Sequence, residues 1–330
     1  MIRAHRGDDF LSSGRPGSVT LRKSRIRALL QFPTLTAEET GVLRDLARLP
    51  METTAKTAPR IREPGLAAPI AAHRLNGIAD VALGRNAGGT TAAMLAEALI
   101  AETCLSEAGI PSDRLKGTWA AVTLYPVPEM RPMADVDLLV DGHQLQAAVA
   151  ALRTYGYMIR TQQERNGPSK RLHIDQMVHP DRGIPLELHH SIARGVSRAD
   201  LPRAPGGGLS MTAHGLHRIL DIAKDGWARA GLISYTDLLL FLHKGVRIDE
   251  VLALATRFGM APASASVLLA FDEILGPELT VQERSACGDA EGPLIRAVRR
   301  RATAQYGPFR LRYTPRWQRR IRRWIMGRVY

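Results

Sequence analysis

The chain has 330 residues, 45% hydrophobic and 23% charged, an ordinary globular composition with enough length for one large domain or two smaller ones. Its two cysteines, Cys104 and Cys287, lie far apart without metal-ligand spacing, which argues against a disulfide scaffold or a zinc site and fits a reducing cytoplasm. The net charge of +13 belongs to the tail, because residues 296–330 hold twelve arginines with no lysine and no acid, leaving about +1 for the rest.

The opening "MIRAHRGDDF" has no apolar stretch behind its charges, so no secretory signal is expected. No apolar run approaches the roughly 20 residues that a membrane span needs. Residues 1–63 are expected to be partly disordered with one short helix. That helix is "TLTAEETGVLRDLARLP", where Thr36 and Glu39 have capping-box spacing and Val42, Leu43, Leu46 and Leu49 form an apolar stripe.

Residues 64–205 read as an α/β core with preceding helices. The alanine-rich stretch up to Ala108 is helical, broken at "NAGG", with Thr90 or Thr91 as a candidate cap and Gly109 and Pro111 as the stop. Then the pattern alternates. "DRLKG" reads as a strand, "TWAAVTLYP" as a two-turn helix and "VDLLV" as a strand. "GHQLQAAVAALRTYGY" is a helix capped at Gly156. "RLHIDQMVHPDRGIPLELHHS" reads as two strands around the turn Pro180-Asp181-Arg182-Gly183. Residues 206–305 read as a helical lobe and residues 306–330 as a basic amphipathic tail. The fold class expected is α+β: a small mixed sheet flanked by N-terminal helices and a C-terminal helical lobe.

"DVDLLV" carries the sharpest chemical signal. Residues i and i+2 of a strand face the same way. Asp135 and Asp137 therefore share a face, roughly 7 Å apart along the strand. Two unpaired acids repel and are costly to bury, and a divalent cation resolves that cost. In "IPLELHH", Leu186 and Leu188 suit inward burial while Glu187 and His189 share the other face. If the two strands are neighbours, three carboxylates meet at one edge and can hold metal for phosphoryl transfer. Taken alone, an Asp-x-Asp pair more often marks a solvated strand end.

The order "GIPSDRLKG", Tyr125, Arg131, "DVDLLV", "YGY" and "LELHH", followed by "SYTDLLLFL" with Asp237, resembles a bacterial nucleotidyltransferase family of the DNA polymerase β superfamily. The match covers about residues 92–260. The resemblance implies transfer of a nucleoside monophosphate from an NTP such as ATP, with Mg²⁺ or Mn²⁺ as cofactor. It makes Asp135, Asp137 and Glu187 the catalytic and metal-binding acids, with Glu187 also placed as general base. Lys116, Gly117 and Thr118 would stand where the superfamily usually has Gly-Ser and bind the nucleotide's phosphates, helped by Arg131. Arg131 could instead brace Asp135, and Thr118 could be a plain helix cap. His189 and Tyr125 are candidate substrate contacts, with a satisfied histidine and simple packing as the respective alternatives.

The acceptor implied is a small metabolite, a peptide or a sugar intermediate of a biosynthetic pathway; the near-neutral body disfavours a long nucleic acid. In the lobe, His214, His217, Lys224, Trp227 and Arg229 share a helix that reads as a solvated face, with a few of these residues facing the cleft as the alternative, and Asp237 reads as an acid favoured at a helix N-terminus. His173 and His179 read as surface groups. "RWQRRIRRWIMGRVY" places Trp317, Ile321, Trp324 and Ile325 on one helical stripe, ringed by arginines. It could dock on its own core, or meet an anionic membrane surface or an acidic protein. The expected location is cytoplasmic, with peripheral membrane contact as a variant. A non-catalytic nucleotide binder of the same fold, or an adaptor acting through the tail, are the alternative functions.

Overall fold

The computed structural model describes residues 37–48, 50, 70, 74–82, 88–159, 172–174, 176–225 and 230–306. The expectations for residues 1–36 and 51–63, for Leu49, for Trp227 and Arg229 and for the tail beyond Tyr306 lie outside them. No helix among the described residues is long and apolar enough to cross a membrane.

The architecture is α+β, as its sequence pattern requires. Among the described residues three helices come first: α1 (Ala37–Arg48), α2 (Asn76–Ala82) and α3 (Gly88–Glu107). Helix α3 begins at Gly88, so Thr90 and Thr91 lie inside its first turn and do not cap it. At its other end the amide of Ile110 reaches back to the Leu105 carbonyl at 2.9 Å, a bond that closes the last turn.

The core follows as β1 (Ser112–Arg114), α4 (Lys116–Thr123), β2 (Val136–Val140), α5 (Leu145–Thr154), β3 (Met158–Ile159), β4 (Met177–Val178) and β5 (Pro185–His189). These strands form one sheet in the order β1-β2-β5-β4-β3. Strands β2 and β5 run parallel at its centre, and the other pairings are antiparallel. Strand β2 is buried on both faces. Val136, Leu138 and Val140 join Leu186 and Leu188 in a core with α3 and α5. Each such side chain contributes roughly 1.5–3 kcal/mol by burial. Leu139, one residue out of phase, packs into the second core, on the side of the helical lobe. Ion pairs tie α3 to the rest of this unit. Arg114 pairs with Glu102 at 2.5 Å and Arg182 with Glu97 at 2.5 Å.

A short hairpin, β6 (Ser191–Ala193) with β7 (Val196–Ser197), leads to the lobe. The lobe comprises α6 (Met211–Asp225), α7 (Leu232–His243), α8 (Ile248–Arg257), α9 (Ala261–Leu275), α10 (Val281–Glu291) and α11 (Pro293–Tyr306). Helix α10 was not anticipated from its sequence. Its apolar pattern is weak, but Thr280 and Glu283 form a reciprocal capping box that fixes its start. The expectation of a solvated face on α6 is overturned, because His214, His217 and Arg218 are all buried. His214 stacks on Trp119 with ring centroids 3.7 Å apart, and Trp119 in turn stacks near-parallel on Phe241. His173 is half-buried against His189, and the His179 ring packs edge-on to Tyr157, so neither is a free surface group.

Candidate active site

Parallel pairing of β2 with β5 sets Asp137 opposite Glu187 and Leu139 opposite His189. Residues in register on neighbouring strands point to the same face. Asp137, Glu187 and His189 therefore converge, and each offers a metal-ligating atom within 4.8 Å of the others. His189 Nε2 lies 2.8 Å from Asp137 Oδ1 and 3.7 Å from a Glu187 oxygen. Gln176 Nε2 donates to the other Glu187 oxygen at 2.9 Å, which fixes that carboxylate's orientation.

Lys116 enters from the neighbouring strand-to-helix turn. Its Nζ lies 2.7 Å from Asp137 Oδ1, so that one oxygen meets both the ammonium and the imidazole. Lys116 begins α4 with φ +47, a left-handed backbone that side chains with a Cβ rarely adopt. Beside it, a Cβ on Gly117 would fall 2.6 Å from Met133 Cγ. Glycine is thus what lets the Met133 side chain, two residues before Asp135, lie against this turn. The Thr118 hydroxyl is buried and donates to the Leu115 carbonyl at 3.2 Å. It serves the backbone at the helix start.

Asp135 lies just before β2. It shares with Asp137 a cleft of about 390 Å³, whose walls include Lys116, Gly117, Arg131, Arg218, Asp221 and Lys224. Glu187 sits beside Asp137 and is not among the described residues lining that cleft. Burial, and then the negative charges of Asp137 and Glu187, push the Asp135 carboxyl up to about 6. Asp137 behaves oppositely. Burial disfavours its charge, but Lys116 and His189 overcome this and hold it well below the usual carboxylate range. Burial disfavours the Lys116 charge too, and Asp137 and Asp221 overcome it and raise the ammonium above its ordinary value. Burial lowers His189 despite Asp137, which favours a neutral imidazole.

Arg131 lines the cleft without pairing with Asp135. Its guanidinium pairs with Asp237 of α7, at 2.9 Å to Oδ1 and 3.0 Å to Oδ2. The Tyr125 hydroxyl donates to the same carboxylate at 2.8 Å, and Arg218 Nη2 lies 2.9 Å from it. Arg218 also reaches Asp221 at 3.1 Å. Asp237 is fully buried in the middle of α7, which begins at Leu232, so the helix-terminus explanation for this acid is replaced by a buried charge network. Sequence reasoning missed Arg218 and Asp221 as cleft residues. Their i,i+3 spacing on α6 was the available signal.

Two carboxylates and an imidazole, with a third carboxylate in the adjoining cleft, form a donor set suited to a divalent cation. The α+β core thus presents acids near the centre of a small mixed sheet, beside a cleft walled by both charges. A family model described as "Uncharacterised nucleotidyltransferase" matches residues 84–276, and the chain belongs to that family. A comparison with curated proteins finds no match.

Proposed function

We propose that this protein is a divalent-cation-dependent enzyme that moves a nucleoside monophosphate from an NTP to a hydroxyl or phosphate acceptor. The observation carrying this reading is the in-register pairing of Asp137 with Glu187, within a chain of a nucleotidyltransferase family. In the reaction an acceptor oxygen bonds to the α-phosphorus, the bond to the bridging oxygen breaks, and pyrophosphate leaves.

Asp135, Asp137 and Glu187 would hold Mg²⁺ or Mn²⁺, and His189 supports Asp137 or joins the ligands. When bound, the cation supplies charge neutralisation at the phosphates and polarises the reacting centre. Lys116 and Lys224 bring positive charge to the cleft wall where the triphosphate would lie, and Arg131 and Arg218 line it while paired with Asp237 and Asp221. The Gly117 turn sets the wall's shape. Glu187, oriented by Gln176, accepts the proton of the acceptor hydroxyl. Most of the rate gain would come from in-line positioning and charge stabilisation. A small-molecule, peptide or sugar acceptor suits the near-neutral body better than a nucleic acid.

A second reading has its own support. Thr118 spends its hydroxyl on Leu115, so that turn offers no hydroxyl to a phosphate. A nucleotide-binding protein without turnover would tolerate this. The two separate in one assay: labelled NTPs, Mg²⁺ or Mn²⁺, and a cell extract as acceptor source. Pyrophosphate release that disappears in Asp137→Asn supports the enzyme. Nucleotide binding with no release under any condition supports the second reading.

A further inference from the structure

Lys116 makes a contact with Asp137 that its place on the cleft wall does not by itself explain. Leu115 is extended, and its amide is tethered to the Asp137 carbonyl at 2.9 Å, which fixes the chain alongside β2. The next residue takes the left-handed backbone at φ +47, and its ammonium lies 2.7 Å from Asp137 Oδ1. That oxygen also meets His189 Nε2 at 2.8 Å, so its two lone pairs are both engaged. A backbone strained to place a cation on a metal-ligating carboxylate marks a built contact. Lys116 also lines the cleft with Asp135, Asp221 and Lys224. From there a flexible four-carbon stem can carry its ammonium toward a phosphate.

We propose that Lys116 is the resident counter-ion of Asp137 in the nucleotide-free protein, released to the triphosphate when cation and nucleotide bind together. This deepens the nucleotidyltransferase reading and rests on it. Two cations compete for one carboxylate, so a bare divalent ion binds weakly. The arriving phosphates give the displaced ammonium a new partner, so cation and nucleotide each raise the other's affinity. Lys116 thereby couples the two ligands and discourages loading of the cation alone.

Titration calorimetry with Mn²⁺, alone and with a non-hydrolysable NTP, tests this on the full-length protein. The variants are Lys116→Gly, which suits the left-handed backbone, and Lys116→Met, which keeps the stem without the charge. Wild type should take Mn²⁺ weakly alone and more tightly with nucleotide. In both variants bare Mn²⁺ should bind about tenfold tighter, from loss of one competing charge near the ligands, and the gain from nucleotide should shrink. Thermal unfolding identifies whichever variant is folded, and that one decides the result. Unchanged or weaker Mn²⁺ binding in it, with wild type binding normally, would overturn the counter-ion role and leave the enzyme reading standing. No Mn²⁺ uptake by wild type, with or without nucleotide, would bring down both.

Discussion

Arg131 grips Asp237 through two parallel hydrogen bonds, 2.9 Å from Nε to Oδ1 and 3.0 Å from Nη2 to Oδ2, across 106 residues of sequence. Tyr125 and Arg218 converge on the same buried carboxylate. One acid thus joins the approach to β2 to two helices of the lobe. Asp237→Asn leaves two buried guanidinium groups around a neutral amide. Removing one partner of a buried pair costs about 3–5 kcal/mol. Denaturant unfolding should show a loss of that order, and a loss of under about 1 kcal/mol would mean that the network contributes little.

Gly117 makes a second, local prediction. A Cβ there would meet Met133 Cγ at 2.6 Å, closer than real Cβ contacts run, so Gly117→Ala must displace the Met133 side chain, two residues before Asp135. Overpacking of this kind costs about 1–3 kcal/mol. NTP turnover should fall together with stability, and the double variant Gly117→Ala with Met133→Ala should recover both. A double variant no better than Gly117→Ala would show that the backbone turn, and not the Met133 contact, requires the glycine.

The buried histidines of α6 predict an acid-labile fold. Burial, then Arg203 and Arg218, push His214 down to about 3, against 6.5 for a free imidazole. The unfolded chain takes up a proton below the free value, whereas the folded chain does not until the lower one. The unfolded state therefore binds more protons between them, and stability drains away as pH falls through that window. The slope for one such group is at most about 1.4 kcal/mol per pH unit. His217, lowered in the same direction by burial, adds to it. His214→Phe, which can still stack on Trp119, should give a shallower acid limb in denaturant unfolding from pH 6.5 to 4. An identical limb would remove His214 as its source.

Glu187→Gln separates chemistry from architecture. Glutamine keeps the shape and can still accept the Gln176 hydrogen bond seen at 2.9 Å. Loss of a general base or ligand should lower turnover by about 10²–10⁴, with thermal stability nearly unchanged. Normal turnover in this variant would remove Glu187 from the mechanism.

Much of the site was legible because strand geometry is local. The period of two in "DVDLLV" and "PLELH" separates Val136, Leu138, Leu186 and Leu188 from Asp137 and Glu187, and the core is divided in just that way. The parallel register that brings the two acids side by side needs only that the strands be neighbours. What sequence could not supply were partners fixed by tertiary packing. Arg131 has an acid four residues ahead in Asp135, yet it bonds one 106 residues away. Asp237 reads as a helix-terminal acid only while the helix start is unknown, and Leu232 moves that start upstream. The polar residues of α6 suggest a wet face, but His214 and Arg218 are buried because they stack and pair with groups from α4 and α7. The weakly amphipathic α10 is held by its cap and by packing on α9, neither of which appears as apolar periodicity.

In the proposed function Asp137 and Glu187 together would seat a divalent cation beside the bound nucleotide. Anomalous diffraction from crystals soaked with Mn²⁺ and a non-hydrolysable NTP tests it without any assumption about the acceptor. A manganese peak touching both carboxylates and the phosphates, with Lys116 turned away from Asp137, is the predicted result. Nucleotide density with no manganese at either carboxylate would contradict the claim.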